Sequence, residues 1–236
     1  MGINDFIKEL LFPKICFGCK RIGSYLCHNC AKSLIVINKD VCVYCGRASF
    51  FGLTHPKCKT KTGIDGLKSI FLYNNMAKKV ISMIKYKFVF DAVDTFMKAI
   101  PEKKLKEVEF VKKIIPKSAL IVPVPLHSDR QAKRGFNQSE KYGLFFSSLL
   151  NLPLSNKAIS RVKNTKSQVN MKTPRERFEN IRRAFEVNSA DLVSGREVII
   201  VDDVWTTGST IKETSRTLKR CGAGRIIALT LARAHI

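Results

Sequence analysis

The sequence predicts an α/β fold, a parallel sheet with helices on both faces, preceded by a small cysteine-rich domain. Beyond residue 65, short apolar runs of strand length alternate with segments whose apolar residues recur at helical spacing, which is typical of a parallel sheet covered on both faces. Before that point, seven of the eight cysteines lie between Cys16 and Cys58. We therefore expect one domain over residues 1–65 and a second over residues 66–236.

The second domain is predicted to begin with a strand and two amphipathic helices. Strands are assigned to continuous apolar runs, and helices to segments with apolar residues at i, i+3 and i+4. In chain order the predicted elements are a strand at Leu67–Tyr73, helices at Ala77–Lys87 and Val89–Ile100, a strand at Leu120–Val124, a helix at Ser139–Leu150, a strand at Val198–Val201, a helix at Thr210–Cys221 and a strand at Arg225–Ala232. Residues 101–117 are charge-rich and connect the helical layer to the next strand.

The composition excludes several classes of protein. With 236 residues, 45% of them apolar, the chain can bury a core and is neither a disordered tail nor a disulfide-stapled miniprotein. No apolar run approaches the ~18–20 residues of a membrane-spanning helix, so we expect no membrane insertion. The first 12 residues predict a short amphipathic helix rather than a signal peptide, because acidic residues interrupt the apolar pattern and no small-residue cleavage site follows.

The charge balance is strongly basic. The 42 Lys and Arg residues outnumber the 19 Asp and Glu residues, which gives a formal net charge of +23. Such a field attracts polyanions, among them polyphosphates, nucleic acids and anionic membranes. The alternative is a solvated lysine-rich surface without a ligand.

The cysteines occur in pairs with the spacing of metal-binding knuckles. We expect this protein to be cytoplasmic. Thiols stay reduced in the cytoplasm, so clustered cysteines indicate metal binding and not disulfides. The two predicted tetrahedral ligand sets are Cys16, Cys19, Cys27 and Cys30, and Cys42, Cys45, His55 and Cys58. Four protein ligands leave no open coordination position, so both metals are predicted to be structural zinc ions.

The two predicted zinc sites define a first ribbon, residues 16–30, and a second ribbon, residues 42–58. Pairing of the first knuckle with the third, in a cross-braced arrangement, is an open alternative. His28 is a weaker competitor for the histidine ligand, and Cys221 is expected to pack in the core.

The stretch VIIVDDVWTTGST, Val198–Thr210, combines a buried strand, two acids and a hydroxyl-rich turn before a helix. Asp202 and Asp203 at a strand end can accept hydrogen bonds from the hydroxyls of a ligand. The turn offers backbone N–H groups and hydroxyls that can surround a phosphate at a helix N-terminus. Its residues are Thr206, Thr207, Gly208, Ser209 and Thr210. The alternative is a capped helix start with solvated acids.

This stretch resembles the 5-phosphoribosyl 1-diphosphate (PRPP) binding motif of type I phosphoribosyltransferases. The resemblance extends to VPVPLHSDRQAKRGFNQSE at Val122–Glu140, RVKNTKSQVNMKTPRERFENIRRAF at Arg161–Phe185 and the cysteine pairs. Together these segments resemble the ComF family, competence-associated proteins with a zinc-ribbon front and a phosphoribosyltransferase-like body. The resemblance covers nearly the whole chain.

The resemblance implies roles for individual residues. Asp202 and Asp203 would contact the ribose 2′- and 3′-hydroxyls, and Thr206–Thr210 would hold the 5′-phosphate of PRPP bound with magnesium. Residues implied for the pyrophosphate and for a flap over the site are Arg130, Lys133, Arg134, Arg161, Gln168, Arg177 and Asn180. Trp205 departs from the family pattern, which has a smaller residue there.

Two further expectations concern chemistry and partners. His127 is a candidate catalytic group, although a lone histidine after a strand is more often structural. The segment from Arg130 to Arg183 contains 13 Lys and Arg residues and three Glu residues. This excess of positive charge favours binding of a longer polyanion than pyrophosphate. Aromatic residues that would stack on bases if exposed are Phe136, Phe178 and Trp205.

The resemblance implies a role in natural transformation, in which the protein handles incoming single-stranded DNA and carries a PRPP-binding domain. One alternative is a metabolic phosphoribosyltransferase with a small base or amine as acceptor. Another is an adaptor that docks on a helicase-like competence protein through its ribbons.

Overall fold

The computed structural model describes residues 13–86, 90–165, 171 and 173–234. The predicted amphipathic helix at the N-terminus and the flap residue Gln168 lie outside this part of the chain. No helix in the described ranges is both long enough and apolar enough to cross a bilayer.

The described elements alternate between strands and helices after a mostly irregular N-terminal region. The helices are α1 His28–Ala31, α2 Asn75–Tyr86, α3 Phe90–Lys98, α4 Glu102–Glu109, α5 Val111–Ile114, α6 Ser128–Arg134, α7 Gln138–Leu150, α8 Pro174–Ile181 and α9 Ser209–Arg220. The strands are β1 Gly66–Leu72, β2 Leu120–Pro123, β3 Ile159–Arg161, β4 Phe185–Val187, β5 Val198–Trp205 and β6 Ile226–Arg233.

Four of the strands form a parallel sheet in the order β1-β6-β5-β2. Successive residues of the central strand point to opposite faces, so Ile199 and Val201 enter one hydrophobic cluster and Val198 and Ile200 enter the other. The first cluster includes apolar residues of α2, α3 and α7, and the second includes those of α9. The predicted parallel sheet with both faces covered is confirmed.

Strand β5 is longer than predicted, and its length shapes the site. On one side it pairs with β6 as far as Trp205, whereas on the other side β2 pairs with it only as far as Val201. Asp202 and Asp203 therefore lie within β5 and not in a turn after it. Since β2 ends first, this flank of β5 has no pairing strand beside the two acids.

The N-terminal region covers the edge of the sheet at β1. The backbone N–H of Ile37 donates to the carbonyl of Ile70, and the N–H of Thr54 donates to the carbonyl of Asp65. Leu72 N–H in turn donates to the carbonyl of Ile35. An edge strand with free backbone groups is a template for unwanted pairing, and these bonds occupy it.

Several elements were not predicted. The charge-rich connection at 101–117 forms α4 and α5, and Lys104 is buried there because its ammonium donates to the carbonyl of Ile37 and to Glu107. Strands β3 and β4 form a small antiparallel sheet of three residues each, too short to produce a readable alternation of polar and apolar residues. Helix α6 is polar in sequence apart from Ala132 and has no apolar stripe.

Candidate functional site

The first ribbon brings its four cysteines together. The Sγ atoms of Cys16, Cys19, Cys27 and Cys30 all lie within 4.8 Å of one another. The Sγ atoms of Cys19 and Cys27 are 3.7 Å apart. Two thiolates bound tetrahedrally at about 2.3 Å from a zinc ion are separated by about 3.8 Å, so this set fits zinc.

The second ribbon does the same with three cysteines and a histidine. Cys42, Cys45, His55 and Cys58 form the second cluster. The Sγ of Cys45 is 3.3 Å from Nδ1 of His55, whose Nε2 is 3.1 Å from the carbonyl oxygen of Ala48. A hydrogen bond from the second ring nitrogen to a carbonyl is the usual way a metal-binding imidazole is oriented.

The two ligand sets follow one another along the chain, as predicted, and are not cross-braced. Burial raises the pKa of the Cys16 thiol. Backbone N–H groups that donate to its sulfur, that of Cys27 among them, nevertheless lower this pKa to about 6. Burial also raises the pKa of Cys42, but backbone donors, that of His55 first, lower it to about 7. The backbone donors therefore favour the thiolate, the form that binds zinc, at Cys16 and Cys42.

The acid pair on β5 is buried and held by neighbouring groups. Oδ1 of Asp202 accepts a hydrogen bond from Ser139 Oγ at 3.0 Å and from the backbone N–H of Asp203 at 2.9 Å. Oδ2 of Asp203 forms an ion pair with Nζ of Lys85. Burial and the neighbouring Asp203 raise the pKa of Asp202 to about 7.

The turn after the acid pair requires glycine at position 208, both for its backbone conformation and for its contact with Trp205. Gly208 has φ +72° and caps the N-terminus of α9, and a Cβ at this position would lie 2.3 Å from the ring of Trp205. Thr207 Oγ1 lies 2.8 Å from Ser209 Oγ. The ammonium of Lys212 donates to the carbonyl of Thr207 at 3.0 Å, which fixes the turn from below. Thr206 is exposed, and Thr210 is half-buried.

Three arginines that were expected to contact the pyrophosphate or to belong to the flap lie near the acid pair. The carboxylate of Asp202 acts electrostatically on Arg161, and so do the guanidinium groups of Arg130 and Arg134. Burial first, and then these two like charges, lower the pKa of Arg161 to about 10. Arg130 and Arg161 both bond to Thr165, Arg130 through its carbonyl and Arg161 through its hydroxyl. The structure therefore places α6 and β3 beside the acid pair.

The other predicted flap residues lie on or near α8. Arg177 donates through Nε to the carbonyl of Met171 at 3.2 Å, and Asn180 lies one residue before the end of that helix. Lys133 is exposed on α6. His127 accepts a hydrogen bond from the backbone N–H of Asp129 as the N-cap of α6, which is the structural alternative for this residue.

Three buried polar atoms around the acid pair have no hydrogen-bond partner among the described residues: Gln138 Nε2, Tyr142 Oη and Arg161 Nε. Burial and the charges of Asp203 and Asp202 raise the pKa of Tyr142. Unpaired buried donors are costly in a folded protein, and a polar ligand would satisfy them.

Sequence reasoning missed Lys85, Ser139 and Tyr142 as site residues. Ser139 and Tyr142 lie one helical turn apart at the start of α7, a spacing that places them on one face. That signal was present in the sequence, but nothing local related Lys85 to β5.

The predicted stacking of aromatic residues on bases is wrong for two of the three. Trp205 is 2% exposed and Phe136 is 6% exposed, because both contribute to the hydrophobic clusters. The Trp205 ring instead packs directly against Gly208. Phe178 is half-buried, and the guanidinium of Arg216 lies 5.2 Å from its ring centre. Cys221 packs against the second cluster, as expected.

Two family models match the chain. The phosphoribosyl transferase domain model matches residues 147–236, which include the acid pair and the turn. The double zinc ribbon domain model matches residues 7–60, which include both ribbons. The first match includes strands β3 to β6, and strands β1 and β2 lie between the two matched segments.

Three curated relatives match most or about half of this chain's length. Competence protein ComFC of Bacillus subtilis is 30% identical over 226 residues, 88% of this chain and 84% of the relative. Competence protein F of Haemophilus influenzae is 39% identical over 115 residues, 48% of this chain and 50% of the relative. DNA utilization protein YhgH of Escherichia coli is 38% identical over 113 residues, 48% of each.

The matched segments thus span about half the length of the Haemophilus and Escherichia relatives, whereas the match to the Bacillus protein extends over most of both chains. With its two cysteine ribbons, a parallel sheet bearing the acid pair and the phosphate-type turn, and a relative matched along nearly its whole length, this chain belongs to the ComF family.

Proposed function

We propose that this protein is a cytoplasmic component of natural transformation that handles incoming single-stranded DNA and binds Mg-PRPP in its phosphoribosyltransferase-like domain. The observation that carries the PRPP part is the acid pair of β5 followed by the glycine turn of α9. The names of the relatives, competence proteins and a DNA utilization protein, support the DNA part. The domain boundary after residue 65 remains part of the proposal.

Each part of the site matches one part of PRPP. Carboxylates accept hydrogen bonds from the ribose hydroxyls more strongly than neutral amides do. The N–H groups and hydroxyls at the start of α9, a helix of 12 residues, receive the 5′-phosphate. Arg130, Arg134 and Arg161 neutralise the pyrophosphate, and magnesium, when bound with PRPP, adds to that neutralisation.

A double substitution tests the PRPP site. Asp202→Asn with Asp203→Asn keeps the shape of both side chains and removes their charge, so we expect PRPP affinity to fall at least about 100-fold if each lost charged bond costs about 1.5 kcal/mol. Calorimetry with Mg-PRPP measures it, with zinc content and circular dichroism as checks of folding. The matched control is Asp191→Asn, an exposed acid on a different segment. Equal affinity in double mutant and parent would refute the ribose assignment.

The proposed DNA site lies on the basic surface around α8. A cavity of about 310 Å³ is lined by Lys163, Glu179, Arg182 and Arg183. The ammonium of Lys163 donates to the carbonyl of Arg182 at 3.0 Å, which gathers the positive charges on one rim. Phosphates that contact such groups release counterions, so the affinity should fall as salt concentration rises.

The salt dependence tests this site. Lys163→Ala with Arg182→Ala should reduce the slope of log affinity against log salt by about 0.7 for each lost phosphate contact with single-stranded DNA. The control is Lys106→Ala with Lys112→Ala, two lysines on α4 and α5 that pair with their neighbouring glutamates. An unchanged slope would show that the rim is only solvated charge.

The phosphoribosyl transferase match also favours a second candidate function, a metabolic transferase acting on a small base or amine. Pyrophosphate release with such an acceptor, together with no DNA binding in parent or variants, would establish that function in place of the first. Binding of DNA without PRPP would indicate that the fold serves nucleic acid alone.

A further inference from the structure

Lys85 reaches the acid pair from an element remote in sequence. It lies one residue before the end of α2, and its ammonium forms the ion pair with Oδ2 of Asp203. The side chain of Lys85 is 26% exposed and that of Asp203 is 11% exposed. An ion pair with one partner so little hydrated is screened much less than one on the surface.

The surroundings of the pair explain why a cation is needed there. Asp202 and Asp203 are consecutive on β5, and two carboxylates sharing a buried site resist ionising together. The hydrogen bond that Ser139 donates to Asp202 favours ionisation but brings no net charge. Tyr142 of α7 presents a neutral phenol, and Tyr73, after β1, acts electrostatically on Lys85.

The positive charges available to the two acids are not equivalent. Arg161 of β3 interacts electrostatically with Asp202, and its guanidinium donates a hydrogen bond to the Thr165 hydroxyl. Lys85 is in direct contact with Asp203. Burial lowers the pKa of Lys85, but Asp203 and then Asp202 raise it more, so the ammonium stays charged.

We propose that Lys85 is a positioning residue of the ribose site, whose ammonium orients Asp203 and stabilises the ionised form of the pair, which accepts the ribose hydroxyls. The inference rests on the proposed binding of PRPP. It predicts that Lys85 strengthens PRPP binding through Asp203 and does not itself occupy the ligand's position.

Two substitutions separate charge from packing. Lys85→Met keeps most of the side-chain volume and removes the ammonium, and Lys85→Arg keeps the charge. At pH 7 we expect Lys85→Met to bind Mg-PRPP about fivefold more weakly, since a rise of one unit in the pKa of Asp202 from about 7 lowers its ionised fraction by about that factor. At pH 9, where both carboxylates ionise without the lysine, most of the loss should disappear. Lys85→Arg should bind as the parent does.

The control is Lys79→Met on the exposed face of the same helix, which should leave affinity and pH profile unchanged. A Lys85→Met variant that binds PRPP as the parent does at every pH, or more tightly, would overturn the proposal, the second outcome by showing that Lys85 blocks the site. A loss at pH 7 that persists undiminished at pH 9 would also overturn it.

A second measurement keeps the inference separate from the proposed function. The carboxyl carbon signal of Asp202, followed by NMR in the ligand-free protein, should titrate about one pH unit higher in Lys85→Met than in the parent. If the parent fails to bind PRPP, the proposed function fails, but this titration still decides the role of Lys85. Identical titration in both proteins would end the proposal whatever PRPP does.

Discussion

The first and second ribbons share a ligand geometry but are attached to different parts of the sheet domain. The first ribbon adds Phe17 and Leu26 to the hydrophobic cluster that contains α2. The second ribbon adds Val43 to the opposite cluster and places Tyr44 against α9, with the ammonium of Lys212 5.7 Å from its ring centre. The first ribbon therefore packs on one face of the sheet, whereas the second contacts both clusters, since its Phe51 and Leu53 pack against the first.

The difference matters because each ribbon contacts its helix at a different distance from the residue by which that helix reaches the site. Lys212 contacts Tyr44 of the second ribbon and also holds the carbonyl of Thr207 in the phosphate turn. The first ribbon contacts the start of α2 near Met76. Lys85 lies nine residues further, about 13 Å along the helix. We infer that the second ribbon supports the turn closely, whereas the first acts mainly on stability.

The largest expected effect comes from removing one zinc ligand from each ribbon. Cys19→Ser and Cys45→Ser change matched exposed ligands, and each should lose about one zinc ion per chain, since structural zinc contributes on the order of 10 kcal/mol to folding of its site. Cys45→Ser should also weaken PRPP binding about tenfold or more, and Cys19→Ser less than about threefold. Metal analysis and calorimetry measure both. Equal losses of affinity would remove the distinction between the ribbons.

A glycine pair tests how closely the second ribbon packs on β1. Gly52 has φ +71°, and a Cβ there would lie 2.1 Å from the carbonyl oxygen of Leu67. Gly23 of the first ribbon has φ +120° with open space around it. Both changes to Ala strain the backbone, but Gly52→Ala should cost about 1–3 kcal/mol more because it overpacks. Urea unfolding measures the difference, and similar midpoints would contradict the close contact.

The hydrogen bonds at the two junctions should differ less. Oδ2 of Asp65, after the second ribbon, accepts from Lys219 at 2.9 Å and from the N–H of Ile226 at 2.8 Å. Asp65→Ala leaves that N–H unpaired and should cost about 1–3 kcal/mol. Asn74 donates to the carbonyl of Ser33 and caps α2. Asn74→Ala should lower the free energy of unfolding by about 1 kcal/mol.

Both junction variants should keep two zinc ions, so thermal unfolding isolates the effect of the contact. A larger loss in Asn74→Ala than in Asp65→Ala would reverse the comparison.

The smallest effect concerns the ring between the second ribbon and α9. Tyr44→Leu removes the ring near Lys212 and should lower PRPP affinity about two- to threefold, which corresponds to a cation–π contact of about 0.5 kcal/mol. Tyr44→Phe keeps the ring and should bind PRPP normally, although it loses the acceptor for Ile64 N–H. Tyr25→Leu, in the first ribbon, is the matched control and should leave affinity unchanged. A loss in Tyr25→Leu as large as in Tyr44→Leu would argue against a local route.

The parts that could be read from the sequence are those encoded by short spacings. Cys16-x2-Cys19 and the matching pairs define knuckles within a few residues, so the sequence alone indicated which side chains cluster in the structure. Continuous apolar runs such as Val198–Val201 identify buried parallel strands. The short strands β3 and β4 and the polar helix α6 escaped because three-residue strands and a helix without an apolar stripe leave no period to detect.

By itself, the sequence determined which side chains form the two cysteine clusters, where the sheet lies, and that an acid pair stands next to a glycine turn, because each depends on neighbours in the chain. Only the tertiary structure decided that Lys85 pairs with Asp203, that Trp205 is buried beneath Gly208, and that the N-terminal region covers the edge of β1. These features join residues whose meeting depends on strand register and on where β2 ends beside β5, and neither is written in local periodicity.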